Sequence, residues 1–445
     1  MNKSRWSSWM KSLSRFVGVG QNKSWRGKCP LLRTRNPQLE PLEQRQMLTI
    51  LYWDPIPGGG VGGDGTWSTD SMLLNWNTNS DGSGSRVAWI EGADAVFAGS
   101  AGTVAISGTV SANSIQFNAT AYSVESGMLS LPVANTEILI QSGVTATISS
   151  TIDGTGGMAK TGTGVLNLTG SSANTYGGST SISAGSLWLE KASGAAAIPG
   201  DIHFNGTLNA YVYLGASEQI ADLAVLYFNN TSNYGRFWLH GHTETVAGIN
   251  TSNGRGVIQN VQSESGADDD GTLIVNNTVD CFYAGYLRDK GSGDSTGTVS
   301  LVKQGTGELT LSGENIYYTG GTNVSQGTLV LQDTTNSTFL TKNIAVNRTP
   351  EVNATLEFAT VNASPIFNGQ LSGNGTVVKS GSRYLAFGGN NSSFTGEIHV
   401  NTGRLRDVSG PTNFGSPSMI RVNDGGQIYA YNAAMYDFPF RLQPS

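Results

Sequence analysis

Four groups of residues have types and spacings capable of chemistry. Gly293-Asp294-Ser295-Thr296-Gly297 has the G-x-S-x-G spacing of a nucleophile elbow, where a strained strand-to-helix turn exposes a serine for acyl transfer. It lies in a run of small residues with no helical pattern after it, so a loop is expected. His240 and His242 are two residues apart and on a strand would project from one face about 7 Å apart, within reach of one metal ion given a third ligand. An internal similarity between Leu214–Ile220 and Leu239–Val246, offset by 25 residues, predicts a corner there instead. Asp268-Asp269-Asp270 could gather carboxylates for calcium, but it lacks the alternating ligand spacing of a calcium loop and reads as a solvated acidic turn. Arg236, Arg255 and Arg288 share a region with Asp280 and Asp289, the residue types a polysaccharide lyase would use as base and calcium ligands. Nothing in their spacing forces them together. The expectation is no catalytic residue, no metal site and no cofactor.

The elements available to position any site are short strands. Ser300–Asp333 sets the pattern. Leu309-Thr310-Leu311 alternates apolar and polar, the period of a strand with one buried face. Gly313 to Asn315 and Gly320-Gly321 are turn chemistry, Val324 begins a second strand, and Leu329-Val330-Leu331 makes a third. Such a unit cannot bury a core alone and must stack on copies of itself. Two copies are present, Lys160–Leu189 and Lys379–Leu405. In all three a Lys is followed ten residues later by Gly: Lys160 and Gly170, Lys303 and Gly313, Lys379 and Gly389. A further Gly follows each Lys after 24 or 25 residues, at Gly185, Gly327 and Gly403.

This K-x-G-[TS]-x-x-L-x-[LF]-x-G pattern, with its later G-[TS]-L, resembles the autotransporter-associated β-strand repeat, also called the passenger-associated transport repeat. The third copy departs from it. Arg383 replaces the second Gly and Arg404 stands where Ser186 and Thr328 stand, so that copy is expected to be looser or near an end. The resemblance implies an exported passenger segment whose role is stable stacking. No membrane barrel segment follows the repeats, so self-translocation in the manner of a full autotransporter is not expected.

Composition agrees with a solenoid. Gly supplies 59 of 445 residues while charged residues make up only 13%, which suits tight corners between uncharged strands. Residues 1–50 hold ten Lys or Arg against two Glu, a net of +8; the remainder holds 16 basic and 30 acidic residues, a net of −14. A body so acidic repels nucleic acid. Of the two cysteines, Cys29 and Cys281, only Cys281 lies in the body, so no internal disulfide is expected once the leader is gone. Gly27-Lys28-Cys29 lacks the small apolar approach of a lipidation site. No run of 18 apolar residues offers a membrane-spanning helix.

Three regions follow in order. Residues 1–50 read as a basic leader. Trp6, Trp9, Met10, Leu13, Phe16 and Val17 fall on one helical face with Lys3, Arg5, Lys11 and Arg15 off it, either an amphipathic surface helix or a disordered cationic tail. Leu42–Leu48 resembles the L-E-x-R-x-L-L leader of large exported proteins of planctomycete-type bacteria, with Met47 in place of Leu. Residues 51–99 carry Trp53, Trp67, Trp76 and Trp89, four of nine tryptophans. They read as a cap over the first coil, with an exposed sugar-stacking platform as the rival. Residues 100–445 read as coils of 22 to 25 residues, about 14 to 16 of them at about 4.8 Å each. The fold expected is all-β, a right-handed parallel β-helix (β-solenoid). The function expected is that of an exported, non-enzymatic surface stalk, adhesion or matrix element. The alternative is a carbohydrate-active enzyme or glycan-binding module. The expected partners are cell-surface or matrix glycans or proteins, and export machinery through the leader, with no nucleic acid. The expected location is extracellular or the bacterial cell surface.

Overall fold

A computed structural model describes residues 49–251, 253–261, 269–291, 296–430 and 440–442. The chain divides into two compact units, Met1–Met47 and Leu48–Ser445. The leader and its sorting motif lie outside the described residues. The second unit is a parallel β-solenoid with three faces, as the repeats predict. Face one carries an eleven-stranded sheet that runs from the N-terminal end to Gly248–Asn250. An eight-stranded sheet, from Cys281–Tyr283 to Phe440–Leu442, continues it through the bridge between Thr251 and Tyr283. Face two carries a ten-stranded sheet from Gly65–Trp67 to Tyr286–Arg288 and a four-stranded one from Ile366–Phe367 to Gly426–Tyr429. Face three has a three-stranded and a six-stranded sheet. Helix among the described residues is confined to two 3-10 turns, Phe339–Thr341 and Pro411–Asn413.

Alternation within each strand builds the core. Leu309, Leu311, Leu329 and Leu331 all point inward and are at most 1% exposed. Residues in register one coil apart stack like on like: Ala95, Ile115, Ile138, Lys160, Ile182, Phe204 and Phe228 form one inward column of face one. One member of that apolar column is a lysine, and it explains the repeat.

The Lys160 stem fills its place in the column while Nζ reaches the corner, donating to the carbonyls of Gly162 (2.7 Å), Gly164 (2.7 Å) and, one coil on, Ala184 (3.0 Å). Lys303, in a column with Val275, Val324 and Val346, donates to Gln304 (2.6 Å), Gly305 (2.9 Å) and Gln326 (3.2 Å). Lys379, between Phe358 and Val400, donates to Ser380 (2.6 Å), Gly381 (2.9 Å) and Thr402 (3.0 Å). Each ammonium thus ties its own corner to the next coil. The later Gly of the pattern makes room for it. Gly185, Gly327 and Gly403 all have φ near +70°, and a Cβ there would meet the Lys Nζ at 2.6, 2.9 and 2.9 Å. The third copy, despite Arg383 and Arg404, keeps this geometry unloosened, because the substituted side chains lie outside the corner. The unit is not tied to a face: copies one and three begin on face one, copy two on face three.

The solenoid begins inside the tryptophan-rich stretch. Ile50–Trp53 pairs in parallel with Asp94–Phe97, and Gly65–Trp67 with Thr103–Ile106, while Trp76–Asn77 turns back antiparallel against Ile50–Trp53. Trp53, Trp67, Trp76 and Trp89 are at most 5% exposed and pack ring on ring, with centroids 5.1 Å apart for Trp53 and Trp76 and 4.6 Å for Trp76 and Trp89. Rings so enclosed belong to the core of the first coil and offer no platform to a sugar.

Candidate functional site

The fold sets the His240–His242 corner beside Asp269 and Asp270, one coil on, where Asn260 accepts from the Gly241 N–H and donates to the Asp269 carbonyl. In the G-x-S-x-G run, Gly293, Asp294 and Ser295 lie outside the described residues. His240, at φ 54°, and Gly241 form the corner between Gly235–Trp238 and Thr243–Val246. His242 has its pKa lowered, first by burial and then by the neighbouring His240. Asp270 accepts hydrogen bonds from the Thr298 backbone N–H (2.7 Å) and hydroxyl (2.8 Å), which hold its carboxyl below the usual range; Asp268 lies outside the described residues. Asp280 accepts from the Glu308 N–H at 2.9 Å, and Asp289 from the N–H groups of Val299 (2.8 Å) and Thr319 (2.9 Å). These carboxylates fasten loops and do not converge on the arginines. Cys281 is a buried free thiol. Among the described residues no group of three or more His, Cys, Asp or Glu is placed to hold a metal ion.

Arg236 and Arg288, by contrast, are brought together. The strands Gly185–Lys191, Ala210–Leu214, Gly235–Trp238, Gly256–Gln259 and Tyr286–Arg288 lie side by side on face two. Alternation sends Leu187, Val212, Phe237, Ile258 and Leu287 inward. The outward positions fall in two rows along the stack. One row reads Ser186, Tyr211, Arg236, Val257, Tyr286 and the other Trp188, Tyr213, Trp238, Gln259, Arg288.

The rows form an aromatic and basic lane. Trp188 and Tyr213 stack in parallel at 4.4 Å, and Trp238 meets Tyr213 edge-on at 4.9 Å. Burial in this stack pushes the Tyr213 hydroxyl up to about 12. The Arg236 guanidinium lies 5.1 Å from the Tyr211 ring and 5.2 Å from that of Tyr234, and Arg288 lies 4.9 Å from Tyr286. Val257, shorter than its neighbours in the row, lies low between Arg236 and Tyr286 and is only 2% exposed. The result is a depression of about 170 Å³ lined by Tyr234, Arg236, Val257, Tyr286 and Arg288.

Among the described residues no carboxylate lines it. Arg236 donates to the Asn209 side-chain carbonyl, and Arg288 to Gln259 Oε1 (3.0 Å) and the Tyr317 hydroxyl (2.9 Å). Neither pairs with an acidic group among the described residues, where the ion pairs involve Arg86 with Asp54, and Glu397 with Arg348, His399 and Arg421. A guanidinium has five N–H donors, so both retain capacity for an anion. A second depression, of about 580 Å³ and on the same face, is lined in part by Arg383, Tyr384, Arg404 and Gln427. The sequence marks Arg236, Arg255 and Arg288 as sharing a region with Asp280 and Asp289, with no spacing that brings them together. Sequence reading missed Tyr211, Tyr213, Trp188, Trp238 and Tyr286, whose outward parity within their strands was the available signal.

Residues 158–189, 301–331 and 377–406 match the passenger-associated-transport-repeat family, and these are the three segments that carry the buried corner lysines. Over 155 residues, 34% of the chain, the sequence is 36% identical to the adhesin BmaC autotransporter of Brucella suis biovar 1 (strain 1330). That match covers 4% of the Brucella protein, so the chain spans only a small part of its length. No solved structure matches the chain.

Proposed function

We propose that this chain is an exported β-solenoid displayed at a bacterial cell surface, a non-enzymatic stalk, adhesion or matrix element. The observation that carries the reading is the identity of the matched segments. They carry lysines that tie one coil to the next and match a family of passenger-transport repeats, and a third of the chain is similar to a protein named an adhesin. The lining of the face-two depression supports a binding role over a catalytic one. Among the described residues it offers donors and rings without the pair of carboxylates that glycoside hydrolysis uses. Surface protease shaving of intact cells tests the reading. Release of solenoid fragments into the medium is the expected result; protection of the chain within the cytosolic fraction overturns it. A polysaccharide lyase and hydrolase screen of the purified chain addresses the enzymatic alternative. Turnover lost on substitution of Asp280 or Asp289 would replace the non-enzymatic reading.

A further inference from the structure

We propose that the face-two lane is a binding site for an acidic polysaccharide, with one anionic substituent seated between Arg236 and Arg288 over Val257. The inference rests on the surface reading above, since it supposes that face two meets extracellular polymer.

Charge comes first. After residue 50 the chain has 30 acidic and 16 basic residues, so an arginine with no carboxylate partner among the described residues is not explained by a shortage of carboxylates. Two such guanidiniums flank one notch, each with N–H groups left over. A planar fork of donors suits a carboxylate or a sulfate ester, which it can grip through two parallel bonds.

Shape comes second. The notch is continuous with the row Trp188, Tyr213, Trp238, Gln259, so the lane crosses five coils in a straight line along the stack. A linear polymer laid there meets a new pair of side chains with every coil, about 4.8 Å apart. Tyr234 and Tyr286, with ring centroids 6.0 Å apart and nearly perpendicular, give the notch apolar walls against which the C–H faces of a sugar pack. Nucleic acid fits poorly, because the surrounding negative field opposes a closely charged phosphate chain. A polysaccharide with spaced charges and apolar ring faces satisfies both halves of the lane.

Binding of the purified full chain is measured at low salt to polygalacturonate, dextran sulfate, neutral dextran and single-stranded DNA. The expected result is binding to one or both anionic polysaccharides, with the stronger arm identifying carboxylate or sulfate. Arg236→Gln and Arg288→Gln each weaken it about tenfold, as loss of a charge-assisted contact implies. Val257→Leu, which fills the notch and keeps both guanidiniums, weakens it as well. Arg348→Gln, in the Glu397 cluster, leaves it unchanged. Circular dichroism confirms that each variant is folded. Failure to bind either anionic polymer, equal binding to neutral dextran, or unaltered binding in all three lane variants overturns the proposal. So does DNA bound more tightly than either polysaccharide through the same residues. Because the assay uses purified protein, its failure leaves the localisation test standing, and the reverse also holds.

Discussion

A lysine in a column of Ile, Val and Phe is the residue-scale fact on which the fold turns. Burial pushes the Lys160 ammonium down to about 7, and Lys303, Lys342 and Lys379 down to about 8, from an ordinary value of 10.5. Between those values and 10.5 the folded chain holds fewer protons than the unfolded chain. Stability contributed by these groups therefore rises with pH across that window and is level below the folded values, where both states are protonated. At pH 7, replacing Lys160 with Met keeps the stem but strips the carbonyls of Gly162, Gly164 and Ala184 of their donor. That loss costs about 2 kcal/mol. The expected outcome is that Lys160→Met is less stable than the parent at pH 7 and that the gap widens at about pH 9.5, where the parent has gained and the variant has not. Thermal unfolding at the two pH values measures it. A gap that stays constant or narrows would mean that burial does not lower the Lys160 pKa in the folded chain. The Lys and Gly spacing was fully legible in the sequence. Its meaning was not, because a periodic Lys reads as surface charge until the register puts it among Val and Ile.

Strand by strand, the solenoid was legible because alternation and Gly corners act locally. The sites between strands were hidden by unequal coils. Val257 sits 21 residues after Arg236, but Tyr286 sits 29 residues after Val257, so no fixed period links the lane. Gaps in face three were equally invisible. Where strand pairing lapses, buried side chains take over: Asn174 accepts from the Ile152 N–H at 2.9 Å, and Glu244 from the N–H groups of Gln219 (2.9 Å) and Ile220 (3.0 Å). The tryptophan cluster could be read as a cap from its place before the first coil, though not as part of that coil. In a stack held by nearest neighbours, damage at one end stays local. Trp76→Ala leaves a cavity among Trp53, Trp67 and Trp89 costing about 3 to 5 kcal/mol. Amide hydrogen exchange is expected to speed up in Ile50–Trp53 and Asp94–Phe97 and to stay unchanged around Lys379. Uniform acceleration along the chain would mean that the coils unfold as one block instead.

Across the whole molecule the basic residues divide by chemistry. Six lysines follow residue 48, and five of them, Lys160, Lys191, Lys303, Lys342 and Lys379, are at most 5% exposed. Lys191 donates to the Thr169 carbonyl at 2.9 Å and Lys342 to that of Tyr318 at 2.9 Å, so both work inside the stack as the repeat lysines do. Outward positive charge is left to arginine, with Lys290 as the exception. The division follows from shape: a slender ammonium fits a corner of converging carbonyls, whereas a broad guanidinium suits an exposed anion. It also makes the intact stack measurable by amine chemistry. An acylating reagent applied to the native chain is expected to modify half-buried Lys290 first of these six. The five buried lysines should react about a hundredfold more slowly, as for a local opening of about 3 kcal/mol. Peptide mass spectrometry over a time course reads each site separately. Since a corner lysine becomes reachable only when its coil parts from the next, the rates form a map of coil opening. Lys379, a few coils from the last strand, should be modified before Lys303 in the interior. If the five react as fast as Lys290, the corners stand open in solution, and the shared lysine is not what holds one coil to another.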